Sequence, residues 1–240
     1  MRALLWDIDG TLTKSAGAGT RALAGALHAK PRSSEHLRGM RLDGMTDRAI
    51  VRILLAAEHG DPALPVEERA RAVTDAAIDE VLEKYLVALA SECAKKSYYA
   101  QPGVTELVPR LSRRSELLLG LCTGNLIRGA ELKLTATGLW SEFRFGGYGS
   151  DAEPRPDIVR VAWSRARALG ATEALVIGDT PRDILAAHEA GLPACGVATG
   201  RFSLHELAEN GADCVIESFG DVARAEALLT GPLRARPPSR

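Results

Sequence analysis

Two carboxylates, Asp7 and Asp9, follow the first apolar run of the chain, residues 3–6, and lead into Gly10 and Thr11. The apolar run is typical of a buried strand. Ionised groups this close together repel each other, and they are costly to place beside a core. A bound cation would offset that cost, so the opening of the chain predicts a metal site where its first strand ends.

Two further clusters of polar residues follow predicted strands. Thr123 and Gly124 come directly after the apolar residues 116–122, and Asp179 follows residues 174–177, with Asp183 one turn later. Ligands of open α/β sheets bind at the carboxyl ends of the strands. Any one of these clusters is compatible with ordinary turn or helix-cap chemistry. Three clusters at successive strand ends indicate a shared site.

The residue types in these clusters suit a phosphate monoester and Mg²⁺. Magnesium binds one or two carboxylates together with water and a substrate phosphate oxygen. Asp7 and Asp179 would share the ion if their strands are neighbours. The Thr123 hydroxyl and adjacent backbone N–H groups suit a phosphate, and Gly124 lets the backbone come close. Arg155 would neutralise the remaining phosphate charge through its planar fork.

The order of elements explains how these groups would meet. From residue 104 onward, short apolar strands alternate with amphipathic helices, which predicts a Rossmann-like parallel α/β sheet covered on both faces. Residues 14–19 read as a flexible connection, and between residues 14 and 97 the pattern is helical with no confident strand. We therefore expect an α/β core in residues 1–14 and 100–230. A helical insert would occupy residues 15–99, and residues 231–240 would form a disordered tail.

The composition gives no support for nucleic-acid binding, membrane insertion or secretion. The 240 residues carry a formal net charge of -1, which gives no support for binding to nucleic acid or to a membrane surface. No apolar run has the roughly 18 residues of a membrane helix. The first residues lack the pattern of a signal peptide, and the four cysteines are widely separated. We expect a cytoplasmic protein, monomeric or homodimeric, whose partner is a small phosphorylated metabolite.

Three segments together resemble the motifs of haloacid dehalogenase-like hydrolases. DIDGTL at residues 7–12 resembles the first motif, LCTGN at 121–125 the second, and GDTPRDI at 178–184 the fourth. The helical insert directly after the first motif resembles the helical cap domain of the phosphoglycolate phosphatase-like subgroup. The resemblance implies a HAD-like core with residues 15–99 as the cap.

The resemblance also implies a role for each matching residue. Asp7 would be the nucleophile that forms an aspartyl-phosphate. Asp9 would act as general acid and then general base, and its backbone carbonyl would bind the metal. Thr123 would hold phosphoryl oxygens and Asp179 would bind Mg²⁺. Asp183 would support the metal shell or the cation of the third motif.

The third motif departs from the family pattern, which offers a Lys before a Pro. The matching place here reads EPRP at residues 153–156, so the expected cation is Arg155. Lys133 is set aside because it falls inside a predicted helix. In the insert, Thr46 and Arg48 lie in a segment expected to face the site, where Arg48 would meet a second anionic group. The alternative is an ordinary N-capped helix with a solvated arginine.

The predicted function is hydrolysis of a small phosphomonoester, similar to phosphoglycolate or a sugar phosphate, with Mg²⁺ and an aspartyl-phosphate intermediate. Asp9 favours a phosphoester over an organic halide as substrate, because a departing halide needs no proton. A sugar-phosphate mutase would keep both acids and remains an alternative. A signalling module that holds a phosphoaspartate without turnover is a further alternative, disfavoured by the place of Asp7 on the first strand and by the helical insert.

Overall fold

A computed structural model describes residues 1–27, 42–59 and 63–232 of the chain. These residues form, in chain order, β1 (Arg2–Trp6), β2 (Thr13–Ser15), α1 (Ala18–Ala26), α2 (Asp47–His59), α3 (Val66–Arg71), α4 (Asp75–Ala94), β3 (Tyr98–Ala100), α5 (Val104–Ser112), β4 (Leu117–Cys122), α6 (Ile127–Ala136), a 3-10 turn (Trp140–Glu142), β5 (Phe145–Gly147), α7 (Arg155–Ala168), β6 (Glu173–Gly178), α8 (Pro181–Glu189), β7 (Ala194–Val197), α9 (Leu204–Glu209), β8 (Cys214–Ile216) and α10 (Val222–Thr230).

The main sheet has the strand order β5-β4-β1-β6-β7-β8, and all of its pairings are parallel. The first strand is therefore central, with Leu4 level with Leu119 on one side and Leu175 on the other. This arrangement confirms the predicted parallel α/β fold. It also brings the carboxyl ends of β1, β4 and β6 to one edge of the sheet.

Burial on both faces explains the near-continuous apolar strands. Along β1, Leu4 and Trp6 belong to a core cluster with α5, α6 and α10, whereas Ala3 and Leu5 belong to a second cluster with α7 and α8. Every residue of β4 is buried. Fully burying a leucine-sized side chain contributes about 1.5–3 kcal/mol, so the central strands are held firmly beneath the polar edge.

The helical region after β2 has a core of its own. We call its described residues, 18–27, 42–59 and 63–94, the insertion. Along α4, Ile78, Leu82, Tyr85 and Leu89 recur at helical spacing and pack with residues of α1 and α2. The Thr74 hydroxyl caps α4 by accepting a hydrogen bond from the backbone N–H of Ala77 at 3.3 Å. The predicted helical character of this region is confirmed.

The two chain crossings between sheet and insertion form a small antiparallel ribbon. Its register pairs Thr13 with Ala100, Lys14 with Tyr99, and Ser15 with Tyr98. The expectation of a flexible connection without strands was wrong here. The two paired segments are more than 80 residues apart in the sequence, so neither shows a local sequence pattern typical of a strand. The predicted domain boundaries fall inside or beside the ribbon and stay predictions.

Two further sequence expectations concern the C-terminal tail and membrane-spanning helices. The predicted disordered tail falls mostly on residues 233–240, which lie outside them. Within the described residues, every helix is too short or too polar to span a lipid bilayer.

Candidate active site

Three buried carboxylates converge at the carboxyl edge of the sheet. Asp7 follows β1, Asp179 follows β6, and Asp183 lies in the first turn of α8. One oxygen from each lies within 4.8 Å of the others. The strands that carry Asp7 and Asp179 are neighbours, which is the arrangement that the sequence argument required.

Glycines make room for the Asp179 carboxylate. Gly10 has a φ of 90°, in the left-handed region, and a Cβ built on it would lie 2.2 Å from Asp179 Oδ2. A Cβ on Gly200 would lie 1.8 Å from the same oxygen. The Thr11 hydroxyl donates a hydrogen bond of 3.0 Å to Asp179 Oδ1. The carboxylate is thus fixed between two loops that admit no larger residue.

The electrostatics of the cluster fit a divalent cation. Burial raises the pKa of Asp7 to about 7; Arg155 opposes the rise, whereas Asp183 and Asp9 add to it. Burial, followed by repulsion from Asp183 and Asp7, raises the pKa of Asp179 well above its usual value. Hard carboxylate oxygens with excess negative charge are the donor set that suits Mg²⁺. The residues present therefore fit the ion that the sequence implied.

Arg155 is the cation nearest to this cluster. It begins α7, and its Nη2 donates a 2.8 Å hydrogen bond to Asp7 Oδ1 and another to Asp183 Oδ1. Asp183 also accepts a 3.0 Å hydrogen bond from the backbone N–H of Thr180, closing the capping box of α8. The structure thus brings Arg155 and Asp183 together beside Asp7 and links each to the other, and their predicted roles stay predictions.

Lys133 is a second buried cation of the site, although it was set aside as the cation of the third motif. It does lie inside a helix, α6, but its Nζ reaches the site and donates to Asp9 Oδ2 at 2.6 Å and to Asn125 Oδ1 at 2.5 Å. Burial opposes its charge, yet Asp9 foremost among its neighbours keeps the pKa of Lys133 well above the usual value. A lysine on the buried face of an amphipathic helix was the signal available in the sequence.

Asn125 completes the surroundings of Asp9. Its Nδ2 donates to Asp9 Oδ2 at 2.8 Å and to the Thr123 hydroxyl at 2.7 Å. Thr123 is fully buried, whereas the Asp9 side chain is 47% exposed and faces the cavity. Asn125 stood in the second cluster of the sequence but was given no role. The structure makes it the bridge between the predicted phosphate-binding threonine and Asp9.

Gly124 is one of the places where the insertion contacts the sheet edge. A Cβ on Gly124 would lie 2.5 Å from the backbone oxygen of Met45. The backbone N–H of Asp47 donates to the Gly124 carbonyl at 2.9 Å, and the Asp47 carboxylate accepts from the backbone N–H of Leu126 at 2.9 Å. Burial raises the pKa of Asp47 to about 6. Gly124 lines the cavity, and its lack of a side chain admits the loop before α2; its predicted role in phosphate binding stays a prediction.

The segment expected to face the site lines the cavity through Gly44, Met45 and Asp47, but Thr46 and Arg48 do not line it. The Thr46 hydroxyl is buried and accepts a 3.2 Å hydrogen bond from the backbone N–H of Ala49 at the start of α2. Arg48 points along the insertion to Asp75, at 3.1 Å, and to Asp79. The N-capped helix is the correct alternative, although its arginine is ion-paired.

A cavity of about 540 Å³ joins the sheet edge to the insertion. Its wall on the sheet side includes Asp7, Asp9, Thr123, Asn125, Lys133, Arg155 and Asp179. Its opposite wall includes Leu23, Asp47, Ile50, Val51, Leu82 and Tyr85 of the insertion. A ligand in this cavity would contact carboxylates, cations and hydroxyls at one end and mostly apolar side chains at the other.

Comparisons with known proteins match both parts of this structure. The model of the haloacid dehalogenase-like hydrolase family matches residues 1–191. The chain is 32% identical to the phosphoglycolate phosphatase of Caulobacter vibrioides (strain ATCC 19089 / CIP 103742 / CB 15), over 92% of this chain and 89% of that protein. It is 29% identical to "Probable phosphatase IndB" of Dickeya dadantii (strain 3937), over 94% of each chain. The crystal structure of a hydrolase from Pseudomonas syringae superposes with a TM-score of 0.71 at 26% identity, covering 96% of this chain and all of that one.

Proposed function

The chain belongs to the haloacid dehalogenase-like hydrolase family and is a hydrolase of phosphoric monoesters, and we propose that it cleaves small phosphomonoesters with Mg²⁺ through an aspartyl-phosphate on Asp7. The observation that carries the proposal is the cluster of Asp7, Asp179 and Asp183, whose oxygens lie within 4.8 Å of one another beside Arg155. The relatives named as phosphatases support it.

Asp7, Asp179 and the backbone carbonyl of Asp9 would hold the metal in this proposal, with Asp183 beside them. Bound there, Mg²⁺ supplies positive charge that stabilises the phosphoryl oxygens and keeps Asp7 ionised. That second effect matters because the pKa of Asp7 is raised to about 7 without a metal. Nucleophilic attack, proton transfer and positioning would be carried out by side chains of the protein.

In the first step, an Asp7 oxygen attacks phosphorus and the ester P–O bond breaks. Asp9 gives its proton to the departing alkoxide, so the alcohol leaves neutral. In the second step, Asp9 takes a proton from water, whose oxygen attacks the phosphorus of the aspartyl-phosphate. The bond between phosphorus and the Asp7 oxygen breaks, inorganic phosphate leaves, and both carboxyl groups return to their starting states.

Four neighbouring side chains would position the two aspartates and the phosphoryl group. Lys133 and Asn125 hold one oxygen of Asp9, which leaves the other oxygen available to the leaving group. Arg155 holds one oxygen of Asp7 and leaves the other for attack. The buried hydroxyl of Thr123 lies at the end of β4, where a phosphoryl oxygen would need a partner.

We further propose that residues 15–99 act as a cap over a core of residues 1–14 and 100–230. The insertion forms one wall of the cavity, so its contact with the sheet edge would exclude bulk water from the reacting groups. Close contacts between the two parts occur at Gly124, next to Met45, and at Gly44, next to Thr180. Opening the cap would admit substrate and release phosphate.

The test is release of inorganic phosphate from p-nitrophenyl phosphate by the purified protein, with and without Mg²⁺. We expect activity that disappears in excess chelator and falls on the order of 10⁴-fold in Asp7→Asn. The matched control is Asp157→Asn, because Asp157 is an exposed aspartate of α7 that does not line the cavity. Undiminished activity in Asp7→Asn, or in excess chelator, would contradict the proposal.

A further inference from the structure

The end of the cavity away from the carboxylate cluster is lined mainly by apolar side chains. We call this end the apolar chamber, formed by Leu23, Ile50, Val51, Leu82, Tyr85 and Tyr98. Five of the six come from the insertion, and all belong to or pack against its core cluster. The walls of the chamber are therefore supported by the packed core of the insertion, and the chamber is continuous with the proposed site of phosphoryl transfer.

The charges around the chamber disfavour a second anionic group on the substrate. No described residue of the insertion that lines the cavity is a Lys or Arg, whereas Asp43 and Asp47 are both present. The lining cations among the described residues all lie outside the insertion; they are Lys14, Lys133, Arg155 and Arg201. Lys133, Arg155 and Arg201 are paired with carboxylates, and Lys14 is an exposed residue of the ribbon. A carboxylate or second phosphate entering the chamber would lose water and face the Asp47 carboxylate.

Tyr98 presents mainly ring carbon to the chamber. Its side chain is only 4% exposed, and its hydroxyl, which has almost no accessible surface, faces the Ser15 side chain. A ligand in the chamber would therefore contact mostly carbon. This pattern, an apolar pocket with few polar groups, is typical of sites for small organic ligands.

The size of the cavity agrees with a substrate larger than a two-carbon acid. Its volume of about 540 Å³ falls within the range of roughly 300–1,000 Å³ found for pockets that bury drug-sized ligands. A phosphoryl group at the carboxylate cluster would leave the chamber for the alcohol part of the ester.

We infer that the leaving alcohol of the substrate is uncharged and carries an apolar alkyl or aryl body that fills the apolar chamber. The inference rests on the proposed function, because it assumes that phosphate is held at Asp7. Removing such a body from water favours its ester over short or anionic ones, by about fourfold for each added methylene that the chamber buries.

The first test compares n-butyl phosphate with ethyl phosphate and 2-phosphoglycolate. The two alkyl esters share the same leaving-group chemistry and differ only in apolar length. We expect kcat/KM for n-butyl phosphate to exceed that for either other ester at least 10-fold. Calorimetric binding of n-butylphosphonate and methylphosphonate to the Mg²⁺-loaded protein gives a readout without turnover, and the longer probe should bind at least 10-fold more tightly.

The second test uses two matched substitutions in α2. Ile50 lines the chamber, whereas Ile53 lies on the same helix, is also partly buried, and does not line the cavity. Ile50→Gln should lower kcat/KM for n-butyl phosphate about 10-fold and change that for ethyl phosphate less than twofold. Ile53→Gln should leave both values within twofold of the original.

The outcomes separate this inference from the proposed function. Higher kcat/KM for 2-phosphoglycolate than for n-butyl phosphate would overturn the inference while phosphatase activity stands. Equal binding of the two phosphonates, or equal effects of the two isoleucine variants, would also overturn it. No phosphate release from any ester, together with no binding of either phosphonate, would instead remove the proposed function on which it rests.

Discussion

The sheet edge and the insertion meet at the same cavity, but they hold their side chains in different ways. At the sheet edge, charged groups from separate strand ends are bonded to one another, as in the pair of Arg155 with Asp7 and the pair of Lys133 with Asp9. In the insertion, the wall of the cavity is the surface of a helical core, and Arg48, a charged side chain of α2, pairs with Asp75 away from the cavity.

In the proposed function, the sheet edge therefore carries out the reaction, and the insertion determines which substrate is preferred. The groups proposed to act on phosphorus are fixed by three adjacent strands, so a change in any one of them alters the others through charge and hydrogen bonds. The insertion contributes shape and a lack of positive charge. Its residues can therefore change which alcohol fits while the sheet edge keeps the same chemistry.

The largest effect is expected from Lys133→Met, which removes the cation beside Asp9 at the sheet edge. In Lys133→Met, Asp9 loses the donor that fixes one of its oxygens, and we expect kcat to fall about 30-fold with little change in KM. The pH profile of kcat should also shift, because the charge next to the proposed acid and base has changed. Arg128→Met is the control, since Arg128 is exposed on the same helix. An unchanged pH profile would show that Lys133 only supports the fold.

The raised pKa of Asp7 predicts how the stability of the metal-free protein depends on pH. An unfolded Asp ionises near pH 3.8, whereas folded Asp7 ionises near pH 7. Between these values the folded state binds more protons, so its stability falls as pH rises and levels off above pH 7. Asp7→Asn removes this contribution and should raise the melting temperature in chelator at pH 8 by roughly 5 °C.

The difference between Asp7→Asn and the unmodified protein should shrink as the pH falls toward 4, where Asp7 is protonated in the folded state. Thermal melts from pH 4 to pH 8 in chelator measure this directly. Parallel curves for the two proteins would contradict the raised pKa. Adding Mg²⁺ should stabilise the unmodified protein more than the variant, because only the former keeps the Asp7 carboxylate.

The smallest effect is expected from Arg48. Its partners Asp75 and Asp79 are mostly exposed, and such pairs contribute about 0–1 kcal/mol to the free energy of unfolding. Arg48→Met should therefore lower the midpoint of urea unfolding only slightly and change kcat/KM for any phosphomonoester less than twofold. A large rise in KM for an anionic substrate would instead show that Arg48 contacts the substrate, and it would weaken the contrast between the two regions.

The sequence was most informative where a short motif and a strand end coincide. Asp7, Asp179 and Thr123 each follow a buried strand, and parallel strands bring such positions to one edge whatever the details of packing. Lys133 was missed because its position depends on the rotation of α6 and on the reach of a four-carbon side chain. Arg48 was misplaced for the same reason, since the orientation of α2 is set by packing within the insertion.

The ribbon of β2 and β3 has a consequence for how this protein and its relatives diverge. The chain leaves the sheet at Thr13 and returns at Ala100, and these two residues are paired with each other. A gene rearrangement that replaced everything between the two strands would keep the ribbon by matching three residue pairs, and would have to restore the contact that Asp47 makes with Gly124 and Leu126. New substrate preferences can thus be acquired by exchanging one contiguous stretch of coding sequence, without rebuilding the enzyme around it.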